Sequence, residues 1–163
     1  MTRLVVLQHL EREGPGLFAV EARTRGWEVL ICRLDRAEPL PLLQSQDCLL
    51  VLGGPMGVAD LGDPAFPWLA AEVELLRQVL RRGQPVIGVC LGAQLLALAA
   101  GGTAVPLVVG EPPQSLREDA AYVIEALGPQ GPAQVRADGQ RWAERLQQRG
   151  RRLVANLFDQ LIC

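Results

Sequence analysis

Pro85-Val86-Ile87-Gly88-Val89-Cys90-Leu91-Gly92-Ala93-Gln94 is the stretch on which the fold turns. Gln84–Val89 reads as a short buried strand and Leu91–Ala100 as a helix apolar nearly all round, which puts Cys90 at their junction. A turn this sharp strains the backbone of the residue at its apex. It also brings neighbouring segments so close that small residues are needed two positions before and after it. Gly88 and Gly92 stand at those two positions. The helix beginning at Leu91 aims its unpaired amides and positive end at the sulfur, which favours negative charge there. Cys90 is therefore a candidate nucleophile. A free cysteine is more commonly a small buried hydrophobe, and the two glycines are what favour the elbow reading.

Working outward, apolar β-branched runs alternate with helical patterns. Arg3–Gln8 reads as a first strand, Phe18–Arg25 as a helix closed by Gly26, Trp27–Leu34 as a second strand and Asp47–Leu52 as a third. The third is continuously apolar, the mark of a strand buried on both faces. A helix follows with Leu69, Val73, Leu76 and Leu80 on one stripe, closed by Arg81-Arg82-Gly83. Thr103–Val109 reads as a fifth strand. Such alternation predicts an α/β, doubly wound, flavodoxin-like, mostly parallel sheet of about five strands, with its chemistry at the carboxyl ends of the strands. Beyond Gly110 the pattern becomes helical. Ser115-Leu116-Arg117-Glu118 is a capping-box start, and a second helix runs from about Ala133 to Leu161 with Trp142, Leu146, Leu153 and Leu157 on one side and Gly150 as its weak point. The expected plan is thus one domain over residues 1–163 with a helical C-terminal part.

Composition narrows the function classes. At 163 residues, 49% hydrophobic and 21% charged, the chain has material for one core and too much apolar content for disorder. Net charge is −2 with pI near 5.5 and mean hydropathy +0.17, and basic residues form no stripe, so a nucleic-acid partner is not expected. The apolar run at the N-terminus is too short for a signal-peptide core and no segment is long enough to span a bilayer, so the expected location is cytoplasmic, with no membrane partner. Cys32, Cys48, Cys90 and Cys163 lie far apart without a C-x-x-C pair, which argues against a disulfide framework or a metal site. Cys32 and Cys48 read as inert core residues.

A second glycine cluster, Gly53-Gly54-Pro55-Met56-Gly57, ends the third strand. Alone it is an ordinary turn. Paired with the elbow, it lets backbone amides approach a ligand, and the amide of Gly54 with that of Leu91 would complete an oxyanion hole. The order GGPMG, crossover helix, GVCLGAQ resembles the class I glutamine amidotransferases, in particular the stand-alone branch similar to the amidotransferase domain of GMP synthase. The opening Leu4–His9 and Glu13-Gly14-Pro15-Gly16 are similar to the first strand and loop of that branch. The resemblance covers the first two-thirds of the chain. It implies that Cys90 attacks the side-chain amide of L-glutamine to give a γ-glutamyl thioester, releasing ammonia for an acceptor, which makes a synthetase or acceptor protein the implied partner. It also places Gly54 and Leu91 as oxyanion donors and Gln94 in the glutamine pocket, and it calls for no cofactor.

Members of that family carry a histidine and a glutamate in an H-P-E-like signature well beyond the elbow. This chain has one histidine, His9. The resemblance therefore implies an internal truncation after about residue 109 that removes the catalytic pair. Losing a positioned base slows proton transfer about 10²–10⁴-fold. His9 reads as a loop or core histidine with a local hydrogen bond rather than a substitute base, and Glu111, Glu118 and Asp119 as surface acids at a helix N-terminus. Three readings follow. The first is a degenerate amidotransferase, or pseudoenzyme, that retains the nucleophile. The second is an amidotransferase that receives its histidine from a partner chain. The third is a non-catalytic interaction or regulatory module, for instance a homodimer burying a sheet edge. A protease-like branch shares the elbow but places histidine directly after the cysteine, where this chain has Leu91.

Overall fold

The computed structural model describes residues 2–103 and 128–161. Four strands form one parallel sheet, β1 (Arg3–Gln8), β2 (Glu28–Arg33), β3 (Cys48–Val51) and β4 (Val86–Gly88), in the order β2-β1-β3-β4. Register pairs Val5 with Leu30 and with Leu49, and Val51 with Gly88. The helices are α1 (Gly16–Thr24), α2 (Trp68–Arg81), α3 (Leu91–Ala99) and α4 (Gly131–Leu161). The sheet order and the connecting helices are those of a flavodoxin-like α/β fold. Thr103–Val109 and the helix beginning at Ser115 fall largely or wholly outside the described residues, so the described sheet has four strands.

The central strands are apolar on both faces because both are covered. Leu4, Val5, Val6 and Leu7 of β1 and Cys48, Leu49, Leu50 and Val51 of β3 are buried. Val5, Leu7, Leu49 and Val51 share a cluster with Leu69, Val73, Leu76 and Val79 of α2 and with Leu91 and Leu95 of α3. Alternating side chains lie on opposite faces of a strand, so Leu4, Val6 and Leu50 belong to the other face. The α2 stripe differs from the expected one at its last position: Val79 is buried and Leu80 is 37% exposed. A helix turns 100° per residue, and the stripe 69, 72, 73, 76, 79 follows the inner face more closely than one ending at 80. That stripe includes a charged residue, Glu72.

Two units divide the chain, one comprising Met1–Pro106 with Phe158–Cys163, the other Leu107–Leu157. In the first, the last turn of α4 packs through Phe158 on Trp27, with ring centroids 5.2 Å apart, and Asp159 accepts from Arg25 at 2.7 Å. In the second, α4 runs through Gly150 without a break. Its Trp142, Leu146 and Leu153 are exposed rather than forming a buried stripe.

The entrance to β3 is tied to the start of β1 by a two-pronged ion pair. Arg3 donates through Nε to Oδ1 of Asp47 at 2.9 Å and through Nη2 to Oδ2 at 2.6 Å, and the Gln44 amide donates to Oδ2 at 2.7 Å. Burial pushes the Asp47 carboxyl up. The Arg3 guanidinium and the Gln44 amide outweigh it and hold the group below the usual carboxylate range. A carboxyl lowered on folding contributes stability that is full above its unfolded pKa, about 3.9, and is lost as pH falls through the native value. Asp47→Asn is expected to lower the urea midpoint at pH 7 and to flatten the acid side of the stability curve. An unchanged acid limb would contradict this account.

Candidate active site

The carboxyl ends of β1, β3 and β4 bring together three segments: His9 with Glu13, Gly53-Gly54, and Cys90-Leu91. Two residues past β4, Cys90 has φ +52° and ψ −112° and is exposed. The left-handed region is costly for a residue with a Cβ. Here it is enforced by the passage from strand to helix, since the Val89 amide still bonds the Val51 carbonyl at 2.9 Å while the Gly92 amide already bonds Val89 at 2.9 Å.

Both flanking glycines are sterically required. A Cβ on Gly88 would lie 2.6 Å from the Gly92 oxygen and 2.7 Å from the Ala93 nitrogen, and one on Gly92 would lie 2.7 Å from the carbonyl carbon of Val51. In the first turn of α3 the amides of Gly92, Ala93 and Gln94 are taken by the carbonyls of Val89 and Cys90. The Leu91 amide is the first-turn donor that these bonds leave aside. Leu91 itself is buried, and Gln94 is half-buried on the same turn.

Gly53 and Gly54 lie against this elbow. A Cβ on Gly53 would sit 3.4 Å from Cβ and 3.9 Å from Sγ of Cys90, and 3.1 Å from Oε2 of Glu13. A Cβ on Gly54 would sit 3.0 Å from Cβ of His9 and 3.2 Å from Cδ2 of Leu91. The two glycine clusters, well separated in sequence, are thus neighbours, and Glu13 stands beside them.

His9 is buried, and its bonds are not local. Nδ1 lies 3.1 Å from the carbonyl oxygen of Gly53, and Nε2 lies 3.0 Å from both carboxylate oxygens of Glu72. Neither side chain has exposed surface. Sequence reasoning missed Glu72 and its pairing. The available signal was a carboxylate on the apolar stripe of α2, because a glutamate is almost never fully buried without a partner.

The remaining described cysteines belong to the core. Burial, with smaller contributions from Glu38 and Glu72, pushes the Cys32 thiol up to about 11, and burial alone pushes Cys48 up to about 12. At pH 8 no more than about one in a thousand of either is thiolate, the reactive form. Brief iodoacetamide treatment of the native protein at pH 8 should therefore alkylate Cys90 and spare Cys32 and Cys48 until denaturant is added. Peptide mass mapping that found Cys32 or Cys48 modified first would contradict the arrangement. Among the described residues no cluster of histidine, cysteine and carboxylates suits a metal ion, and no helix is long and apolar enough to cross a membrane. A cavity of about 460 Å³ is lined by Asp138, Gly139, Trp142, Arg145, Leu146 and Arg149, and includes none of the residues around Cys90.

Comparison with known proteins identifies the family. A glutamine amidotransferase-like protein of Salmonella typhimurium, YfeJ, is 32% identical over 102 residues, 61% of this chain and 42% of that protein. One component of a glutamine-hydrolysing GMP synthase from Sulfurisphaera tokodaii is 37% identical over 65 residues, 40% of this chain and 31% of that one. The crystal structure of a glutamine amidotransferase from Methylobacillus flagellatus superposes with a TM-score of 0.54 at 35% identity, over 61% of this chain and 39% of that chain. This chain thus matches less than half the length of each of these relatives. The family profile for glutamine amidotransferase class-I matches residues 18–157, most of the chain and both glycine clusters. The chain belongs to the class-I glutamine amidotransferase family.

Proposed function

We propose that Cys90 is the nucleophile of a glutamine-directed acyl-transfer site. The Gly54 and Leu91 amides serve as its oxyanion donors, and Gln94 lines the pocket for the substrate. The observation that carries this reading is the exposed Cys90 at φ +52° beside the Gly53-Gly54 turn. The thiolate adds to the carboxamide carbon of glutamine, and two peptide N–H groups stabilise the charge that develops on oxygen. The C–N bond then breaks, ammonia leaves with a proton from water, and a γ-glutamyl thioester remains. Hydrolysis of the thioester returns glutamate and the thiol.

This chain holds no free histidine to move those protons. Its one imidazole is buried between Gly53 and Glu72. Without a positioned histidine, the expected cost is about 10²–10⁴-fold in turnover. The domain therefore behaves as an amidotransferase truncated after about residue 109, one that acylates and deacylates slowly. A second copy of this chain cannot supply the missing base, because it would bring the same buried His9. A base in trans would have to come from a different chain, such as a synthetase that accepts the ammonia, and the similarity to a GMP synthase component from Sulfurisphaera supports that class of partner.

A γ-glutamyl p-nitroanilide tests the reading. The expected result is release of about one equivalent of p-nitroaniline per chain, followed by a much slower steady rate, with a γ-glutamyl adduct on the Cys90 peptide. Steady release with no adduct at Cys90, or no release at all, overturns it.

A further inference from the structure

We infer that the buried Glu72–His9 pair is a positioning device that aims the Gly54 amide at the nucleophile. The inference rests on the reading of that amide as an oxyanion donor. A carbonyl oxygen only accepts, so Nδ1 of His9, 3.1 Å from the Gly53 oxygen, must carry a proton and donate it. Nε2 lies equidistant from the two Glu72 oxygens, at 3.0 Å each. A proton therefore lies between ring and carboxylate, and the pair is neutral as a whole, which suits two side chains without exposed surface.

The mechanical consequence follows from peptide geometry. The Gly53 carbonyl and the Gly54 N–H belong to one planar trans peptide unit, so the two groups point in opposite directions. Fixing the oxygen on His9, inside the fold, turns the Gly54 hydrogen the other way. The sulfur stands beside this same turn, 3.9 Å from where a Cβ of Gly53 would be. Two adjacent glycines have the backbone freedom to rotate this peptide. The bond from His9 opposes that rotation, and Glu72 on α2 holds the ring that makes it. A Cβ on Gly54 would stand 3.0 Å from Cβ of His9, so a bulkier residue there would push the ring off its carbonyl.

Two reactions of Cys90 separate positioning from general damage. Acylation by the γ-glutamyl p-nitroanilide builds an oxyanion, whereas alkylation by iodoacetamide displaces iodide without one. In the double variant His9→Leu with Glu72→Met, an apolar pair of similar volume replaces the ion pair, a change that folds tolerate. The expected outcome is acylation slowed about 100-fold, the scale of losing one oxyanion donor, with alkylation within about twofold of the parent. In His9→Asn with Glu72→Gln, the amide nitrogen stands near the former Nδ1 and restores the donor. This variant should acylate about tenfold faster than the apolar pair. Equal acylation by parent and apolar pair, an equal fall of both reactions, or failure of the asparagine variant to recover overturns the inference and leaves the parent's own burst intact. If the parent chain alkylates but does not acylate, the glutamine-directed reading falls, and this inference with it.

Discussion

Replacing Cys90 with serine is expected to abolish covalent capture of the γ-glutamyl group. The elbow remains, because a hydroxyl occupies the space of the thiol and the enforcing contacts belong to Gly88 and Gly92. What is lost is the nucleophile's ionisation. A serine hydroxyl needs an adjacent base to attack, and the only imidazole in the chain is engaged by Glu72 and the Gly53 carbonyl. The p-nitroaniline burst should fall by at least about 10³-fold, to the level of buffer hydrolysis, in line with the loss of a nucleophile acting as part of a unit. Cys32→Ser and Cys48→Ser should keep the burst, since burial holds those thiols at about 11 and about 12. A full burst from the Cys90→Ser protein would remove the chemistry proposed for this site.

Gly92→Ala is expected to cost about 3 kcal/mol or more, the upper range for overpacking a core. The added methyl would stand 2.7 Å from the Val51 carbonyl carbon and 2.8 Å from Val51 Cγ1. A flexible side chain could swing aside from such a clash, but Val51 is the last residue of a central strand paired on both edges. Either α3 lifts from the sheet, exposing Leu91 and Leu95, or β3 shifts and breaks its ladder. Against a total stability of about 5–15 kcal/mol the loss should be plain in a urea titration. Gly88→Ala should act in the same direction through Gly92 and Ala93. Gly57→Ala is the control, because its Cβ would meet nothing closer than 4.0 Å and its φ is −129°. Its stability should change by less than about 0.5 kcal/mol. Equal effects at Gly92 and Gly57 would refute the close-approach argument.

Where the sequence reading and the structure part, helical geometry and buried pairing explain the difference. Leu80 and Val79 differ by one residue and 100° of rotation, so an apolar pair at the end of α2 reads equally well on either side of the stripe until the sheet fixes the inner face. His9 read as a loop or core histidine with a local bond. It is buried, and its partners lie at the end of β3 and on α2, 44 and 63 residues away. The exposed Trp142, Leu146 and Leu153 of α4 show that apolar periodicity establishes a helix without establishing what covers it.

The order of the segments and their local chemistry were readable from the chain alone. Alternating strand and helix patterns called for a parallel sheet, and a cysteine with glycines two places to each side called for the elbow, because strand period, helix period and the room a Cβ needs are local properties. The sheet order β2-β1-β3-β4 sets the carboxyl ends of β1, β3 and β4 side by side, which brings Gly54 against Leu91 as the order of the motifs suggested and, unforeseen in the sequence reading, closes His9 between Gly53 and Glu72. Such contacts join residues far apart along the chain and leave no periodic trace. Only the packing of one element on another brought them within reach of a hydrogen bond.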